Sequence, residues 1–184
     1  MALPSDYSGQ ACSLARSLEV VGERWTLLIV RDAFFGVRRF GDFASHLKIP
    51  RAVLAERLKA LTTEGVLLRV RADGHRDEYE LSEKGQSLWP VIRSLTVWGD
   101  NNYAPDGPRR IFRHATDDGE LDPTGRCSCC GEIVEASETD IVPGPGVAPP
   151  RSEDDLVTVA LAERHRLLRP LRSSDNATDH HLDL

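Results

Sequence analysis

Three of the four cysteines in this 184-residue chain lie within residues 127–130 (CSCC), where Cys127 and Cys130 form a CxxC pair. Two thiols at this spacing are half of a structural zinc site, which needs four ligands. No second CxxC pair exists, and the nearby side chains that could complete a site are Cys129, His114, and the carboxylates of Asp117 or Asp118. Reduced thiols in a small β-rich segment, or a pair that is oxidised reversibly, are the alternatives. We favour these, so no cofactor or metal is predicted, with Cys127 and Cys130 as the candidates for a metal site.

The fourth cysteine, Cys12, stands at the start of the first predicted helix. The positive end of the helix dipole and the nearby Arg16 would both lower the pKa of a thiol there and favour the reactive thiolate. Cys12 is therefore a redox-sensing candidate. A small, partly buried side chain with a packing role is the alternative interpretation.

Basic side chains gather at the tip of a predicted β-hairpin. Asp73-Gly74 is a strong signal for a two-residue turn, and counting outward from it places Arg71 opposite Arg76. Like charges directly opposite each other destabilise a hairpin, and His75 adds a third potential cation. We therefore expect Arg71, His75 and Arg76 to contact an anion such as DNA phosphate; an ordinary solvated loop is the alternative. The same register gives the hairpin an apolar face, with Leu68 opposite Tyr79 and Val66 opposite Leu81.

An amphipathic helix is predicted over residues 51–63, directly before this hairpin. Leu54, Leu58 and Leu61 form its inward stripe, and Pro50 suits the first helical position. Small outward side chains would let the helix approach base edges closely, and recognition helices usually make contacts at their amino ends. The predicted DNA-binding residues of this region are Arg51, Ala52, Ala55 and Lys59, with Arg38, Arg39 and Lys48 adding contacts to the DNA backbone.

Three further helices are predicted upstream. The first has a short apolar stripe from Leu14 to Val21, residues 23–35 are apolar nearly all round as in a buried helix, and the third has Phe40, Phe43 and Leu47 on one side. Helix, tight turn, second helix and then a β-hairpin is the order of a winged helix-turn-helix.

A further helix is predicted over residues 83–98, with Ser82 as its cap. Pro90 should kink this helix or move its true start downstream. The apolar side of the helix could pack on its own domain or on a second copy of the chain. We favour a dimer, because DNA readers of this kind gain half-site symmetry from one. The apolar side consists of Leu88, Val91, Ile92, Leu95 and Trp98.

Several separated segments resemble one known family. They include residues 21–32 (VGERWTLLIVRD), 57–59 (RLK), 64–67 (EGVL) and 79–85 (YELSEKG). Spread over about residues 11–100, they resemble the HxlR-type winged-helix transcriptional regulators of bacteria. The resemblance implies a homodimeric DNA-binding repressor or activator, with dimer contacts from the first helix and the 83–98 helix.

The resemblance also bears on the cysteines. Some members of this family sense oxidants or electrophiles through a cysteine at the position of Cys12. Longer members carry a histidine, a CxxCG segment and a closing Pro-Gly-Pro-Gly, which correspond here to His114, residues 127–131 and residues 143–146.

The fold predicted from these patterns is mainly α with a small β-wing (α+β). Residues 1–100 would form the winged helix-turn-helix domain for DNA binding and dimerisation, and residues 101–146 a small, cysteine-containing, β-rich appendage. Residues 147–184 would be a linker with a helix over 153–169 and a disordered tail.

Charge is distributed unevenly along the chain, whose net charge is −6. Residues 38–76 contain nine Lys/Arg and four Asp/Glu, whereas residues 101–184 contain nine and sixteen. A local basic surface decides phosphate binding, so the acidic total does not exclude a DNA partner.

Other function classes find little support. The sequence contains neither a phosphate-binding glycine loop nor the H-E-x-x-H or G-x-S-x-G motifs, so we do not predict an enzyme. Without a segment of membrane-spanning length or a signal peptide, a cytoplasmic location and no membrane partner are expected. The predicted function is sequence-specific transcription regulation on double-stranded DNA, with a small-molecule or oxidant effector. The alternative is a winged-helix protein-interaction or thiol redox-sensing module without direct DNA readout.

Overall fold

The computed structural model describes residues 9–72, 76–147 and 155–171, and shows a mainly helical fold with two small antiparallel sheets. This confirms the predicted fold class. The helices are α1 (Ser13–Val21), α2 (Thr26–Phe34), α3 (Phe40–Leu47), α4 (Arg51–Thr63), α5 (Glu83–Gln86), α6 (Trp89–Tyr103) and α7 (Leu156–Ala160). The strands are β1 (Leu67–Ala72), β2 (Arg76–Leu81), β3 (Arg110–His114), β4 (Thr139–Pro143) and β5 (His165–Arg166).

Helices α2, α3 and α4 enclose the core of the helix-turn-helix. Leu54, Leu58 and Leu61 of α4 are buried, as the spacing of the stripe predicts. They belong to one hydrophobic cluster with Phe34 of α2 and Phe43 of α3. Because these stripes face inward, the opposite side of α4 remains exposed.

The register of the β1–β2 hairpin, which we call the wing, differs from the prediction by one residue. Arg71 lies opposite Asp77, not Arg76, and strands β1 and β2 are connected by residues 73–75, which lie outside the described residues. Slipping the register by one residue exchanges the two faces of a strand. The observed register buries Leu67 against the core and leaves Leu68 49% exposed, so core packing outweighs the Asp73-Gly74 turn signal.

The helix predicted over residues 83–98 is two helices. Ser82 caps α5 as predicted, its hydroxyl accepting the Gly85 backbone N–H at 3.0 Å. A new helix, α6, then begins at Trp89, with Pro90 in its first turn, where the missing N–H costs no hydrogen bond. The true start is therefore downstream, and α6 continues to Tyr103, beyond the predicted boundary at residue 100.

Strand β4 is the centre of the second sheet, with β3 and β5 at its edges. The Trp89 ring of α6 packs between Phe34 and Phe112, with ring centroids 5.1 and 5.3 Å away. The buried Arg93 of α6 donates to the backbone carbonyls of Leu121 and Asp122, and its guanidinium lies 4.8 Å from the centroid of the Phe112 ring. A single apolar cluster therefore continues from the winged helix into the appendage.

Replacing Trp89 should test this continuity. We expect Trp89→Ala to lower the free energy of unfolding by about 3–5 kcal/mol, because it empties a buried aromatic site between two other rings. Denaturant unfolding followed by circular dichroism measures the change. Ile133→Ala, at an exposed appendage site, is the control and should change stability by less than about 0.5 kcal/mol. A loss at Trp89 no larger than that of the control would contradict the shared core.

The helix predicted over residues 153–169 ends at Ala160. Asp155 caps it, accepting the backbone N–H groups of Val157 and Thr158. The following chain instead forms β5, which pairs with β4, and Arg166 Nε lies 2.5 Å from a carboxylate oxygen of Asp140 opposite it. The linker at residues 148–154 and the tail at 172–184 lie outside the described residues.

The segment after β5 returns to the end of α2. Leu168 N–H donates to the Phe34 carbonyl at 2.7 Å, and Leu171 N–H donates to the Gly36 carbonyl at 3.0 Å. Gly36 has φ +90°, and a Cβ there would lie 1.8 Å from the Arg169 carbonyl oxygen, so only glycine fits. Across the described ranges, we find no helix long and apolar enough to cross a membrane.

Candidate nucleic-acid interface

The outward face of α4 and the turn before it carry exposed cations. Arg51 and Lys59 lie on α4 and are exposed, as are Ala52 and Ala55 between them. Lys48 ends α3 in a left-handed conformation (φ 52°) and is also exposed. Within the described ranges, no carboxylate lies within ion-pair distance of Lys48, Arg51 or Lys59.

Arg51 is positioned by an aromatic ring. Its guanidinium lies 4.9 Å from the centroid of the Phe40 ring, in a cation–π contact. Phe40 begins α3, so this contact joins the two helices of the helix-turn-helix at the amino end of α4. Within the described ranges the Arg51 guanidinium makes no hydrogen bond, so its N–H groups remain for an acceptor.

Another cation on the same helix has carboxylate partners. The half-buried Arg57 lies 2.5 Å from a Glu56 carboxylate oxygen and 3.8 Å from one of Glu23. Its charge is therefore compensated within the protein. This distinguishes Arg57 from Arg51 and Lys59.

Arg38 and Arg39, both predicted to contact the DNA backbone, pair with the wing. Arg38 forms an ion pair with Glu80 and donates to the Leu168 carbonyl at 3.3 Å, while partial burial lowers the pKa of its guanidinium. Arg39 Nε lies 3.1 Å from Glu78 Oε1. The two arginines therefore fix strand β2 against the start of α3, and both are less available to an external anion than Arg51 or Lys59.

The wing itself carries a mixed pattern of charge. Arg69 pairs with Asp77, and the hydrogen bond from Arg69 lowers the pKa of that carboxyl group. Arg71 is exposed and has no ion-pair partner within the described part of the chain. His75 lies outside the described residues, and for Arg76 only the backbone is described.

Sequence comparison connects this geometry with known proteins. An uncharacterized HTH-type transcriptional regulator of Mycobacterium tuberculosis, Rv3095, is 47% identical over 137 residues, which cover 73% of this chain and 87% of the relative. Residues 20–107 also match the sequence profile described as HxlR-like helix-turn-helix. The chain belongs to the HxlR-like helix-turn-helix family. This confirms the resemblance, and the chain is a DNA-binding transcriptional regulator of that family.

Two further proteins resemble this HxlR-like regulator. YvaP of Bacillus subtilis, also described as an uncharacterized HTH-type transcriptional regulator, is 34% identical over 86 residues, 45% of this chain and 80% of YvaP. The crystal structure of PA1607, a transcription-factor candidate, has 35% identity and a TM-score of 0.58, covering 72% of this chain and 94% of that chain. The Rv3095 match covers 73% of this chain, which is about 134 of its 184 residues. Only 107 residues precede Pro108, the first residue after the profile match, so the Rv3095 match must continue beyond it. The similarity to Rv3095 therefore extends into the appendage.

Cys12, the redox-sensing candidate of this HxlR-like chain, is exposed at the residue before α1. Its expected cationic neighbour, Arg16, pairs with Glu19 at 2.6 Å. The charge of Arg16 is therefore compensated by a carboxylate of the same helix. Sensing at Cys12 stays a prediction.

An exposed apolar face on α6 is longer than the sequence indicated. Trp98 is 57% exposed, and its ring centroid lies 5.4 Å from that of Tyr103, which is also exposed. The predicted helix end at residue 98 leaves out Tyr103, because the intervening Gly-Asp-Asn-Asn gives no apolar signal that the helix continues. The exposed apolar side chains of α1 and α6 are Leu14, Leu18, Val91, Leu95, Trp98 and Tyr103.

A half-buried polar contact that was not predicted holds α3 against α7. His46 Nδ1 lies 3.1 Å from Asp155 Oδ1, and His46 Nε2 lies 3.9 Å from Asp32 Oδ1. Burial raises the pKa of Asp32, and the neighbouring guanidinium of Arg31 opposes this rise. Three residues so far apart in sequence give no local signal, since only the fold brings them together.

Proposed function

We propose that this HxlR-like regulator acts as a homodimer, with α4 in the major groove of DNA and the wing on the adjacent backbone or minor groove. One observation carries the proposal: Lys48, Arg51, Lys59 and Arg71 are exposed without a described carboxylate partner, whereas nearby cations are paired. Unpaired cations on one helix and one hairpin suit a polyanion, because each can neutralise a phosphate and release its counterions.

The composition of α4 supports base reading at its amino end. Arg51 can donate two hydrogen bonds to a guanine edge in the major groove. Ala52 and Ala55 add no bulk that would hold the helix away from base edges or thymine methyl groups. Lys59, two turns further along, suits a phosphate at the groove edge.

The dimer is proposed on the exposed apolar side chains of α1 and α6. Large apolar side chains exposed on a monomer mark an interaction surface. A second copy of the chain is the occupant that also gives DNA recognition its two-fold symmetry. The predicted small-molecule or oxidant effector stays a prediction.

Fluorescence anisotropy with labelled duplexes tests the function. The duplex from the region next to this protein's own coding sequence should bind more tightly than an unrelated duplex. The logarithm of each binding constant should fall linearly with the logarithm of the salt concentration. The alternative is a protein-interaction or thiol redox-sensing module without direct DNA readout. The titrations are therefore repeated with oxidant and with reductant, and the alternative predicts no salt-dependent DNA binding in either state.

The wing should contribute to every duplex equally. We expect Arg71→Ala to weaken binding to both duplexes by about the same factor and to reduce the salt slope by about 1, because one phosphate contact is lost. The control is Lys84→Ala on α5, which removes an exposed cation that pairs with Glu64 and should leave the slope unchanged. An unchanged slope in Arg71→Ala would refute the role of the wing.

A further inference from the structure

Four side chains with metal-binding atoms converge in the appendage, outside the proposed DNA surface. His114, Asp117, Cys127 and Cys130 each offer one ligand atom, and these four atoms all lie within 4.8 Å of one another. Two of the residues are buried and two are exposed, so the cluster lies at the surface with its inner half in the core.

Two turns of similar spacing present these ligands. His114 is the last residue of β3, and Asp117 follows three residues later in the next turn. A bridge between Arg113 and Glu120 closes this turn. Cys127 and Cys130 are also three residues apart. They lie in the turn that the Arg126–Ile133 bridge closes, and Cys127 itself bridges to Leu121. Each turn therefore contributes a pair of ligands from one direction, as in the two-loop arrangement of small structural zinc sites.

Three of the six distances between the ligand atoms are close to those of a tetrahedron around one ion, and all six are within 4.8 Å. His114 Nδ1 lies 3.3 Å from Asp117 Oδ1, Cys127 Sγ lies 3.2 Å from the same oxygen, and Cys130 Sγ lies 3.5 Å from His114 Nδ1. Zinc–ligand bonds of about 2.0–2.3 Å in a tetrahedron separate the ligand atoms by about 3.3–3.8 Å. Hydrogen bonds would explain single distances in this set, but they do not require four ligand atoms to gather within 4.8 Å.

The backbone around the cysteines is arranged for a charged sulfur. Cys129 N–H points at Cys127 Sγ from 3.3 Å, and Gly131, at φ +76°, donates its N–H to the Cys127 carbonyl at 3.0 Å. Gly119 lies directly beside the cluster, and a Cβ there would be 2.3 Å from Cys127 Sγ. A larger residue at position 119 would therefore displace a ligand.

We propose that His114, Asp117, Cys127 and Cys130 bind one Zn2+ ion. Two thiolates with one imidazole and one carboxylate suit zinc rather than the oxygen-seeking Mg2+ or Ca2+. All four positions come from the protein, so the ion is structural: it joins the 114–119 turn to the 127–131 turn. On binding, each thiol loses its proton to solvent and the neutral imidazole donates its Nδ1 lone pair. The sequence favours reduced thiols or a reversibly oxidised pair, because the CxxC segment supplies only two of the four ligands; the fold supplies the other two.

Metal analysis of the purified full-length chain tests the site. After dialysis, plasma mass spectrometry should find about one zinc per chain in the wild type and almost none in Cys130→Ser or Asp117→Asn. The control for Cys130→Ser is Cys129→Ser, which removes a neighbouring thiol that is not a proposed ligand. The control for Asp117→Asn is Asp118→Asn, which removes a carboxylate that pairs with Arg113 and Arg164. Both controls should keep their zinc.

Cobalt substitution gives a second readout that does not depend on folding yield. Co2+ added to the zinc-free wild type should produce a thiolate-to-cobalt charge-transfer band, which Cys130→Ser should weaken by about half or lose. A wild-type chain that holds no zinc under reducing conditions and gives no such band with Co2+ overturns the proposal. So does an equal loss of zinc in Cys129→Ser and Cys130→Ser.

Discussion

Reversing the charges of Arg51 and Lys59 together is expected to lower the affinity for duplex DNA by about 30- to 1,000-fold. Each substitution with glutamate removes an attraction and adds a repulsion at the DNA surface. A contact of this kind is worth about 1–2 kcal/mol, so the pair should cost about 2–4 kcal/mol of binding free energy.

The same double variant, Arg51→Glu with Lys59→Glu, should remain folded. Both side chains are exposed and neither has an ion-pair partner within the described ranges. The contact of Arg51 with the Phe40 ring is lost, which costs less than about 1 kcal/mol at an exposed site. Anisotropy titrations at two salt concentrations measure affinity, and denaturant unfolding measures stability.

The control carries the same change of net charge elsewhere. Arg109→Glu with Arg126→Glu changes two exposed arginines of the appendage. If α4 contacts the DNA directly, this control should lose far less affinity than the α4 variant. An equal loss in both would mean that binding responds to overall charge, and the assignment of α4 to the major groove would fail.

The sequence predicted the helix-turn-helix well because its signals are local. The spacing of Leu54, Leu58 and Leu61 defines the buried side of α4, and that side alone fixes which residues face outward. Ser82 and Pro90 similarly mark helix starts through backbone hydrogen bonds that lie within a few residues.

The errors arose where partners distant in sequence decide the structure. The Asp73-Gly74 turn predicts a wing register one residue away from the observed one, in which Leu67 is buried in the core. The helix predicted to continue to residue 169 ends early because β5 pairs with β4 and Arg166 pairs with Asp140. Neither interaction leaves a periodic pattern in the chain.

The candidate sites show the same division. Exposure of Arg51 and Lys59 followed from helical periodicity, whereas pairing of Arg38 with Glu80 required the packing of β2 against the start of α3. For the cysteines, the CxxC spacing was visible in the sequence. The approach of His114 and Asp117 to the two cysteines depends on the turn that follows β3, and the sequence alone does not define that turn.

Replacing Leu95 and Trp98 of α6 with glutamate is expected to separate the proposed dimer into monomers. These side chains are 48% and 57% exposed in the single chain, a high exposure for residues of their size. Fully burying a side chain of this kind contributes about 1.5–3 kcal/mol, and only about half of each is left to bury, so each would contribute about 0.8–1.5 kcal/mol in an interface. Losing both should therefore raise the dimer dissociation constant by about 15- to 150-fold.

Sedimentation velocity over a range of protein concentrations measures this shift. Ile133→Glu is the matched control, since Ile133 is 55% exposed on the appendage and lies on neither α1 nor α6. That variant should sediment as the wild type does. A Leu95→Glu, Trp98→Glu variant that remains a dimer, or a wild type that is monomeric throughout, would rule out this face as the dimer interface.

The dimer variant also separates two contributions to DNA binding. It leaves Arg51, Lys59 and Arg71 in place, so a monomer should keep a salt-dependent affinity for unrelated duplexes. Its affinity for a site with two half-sites should fall towards that non-specific level, because one subunit can no longer place the other on the second half-site. If affinity for the two-half-site duplex is unchanged in a confirmed monomer, recognition depends on a single α4 helix, and two-fold symmetry plays no part in it.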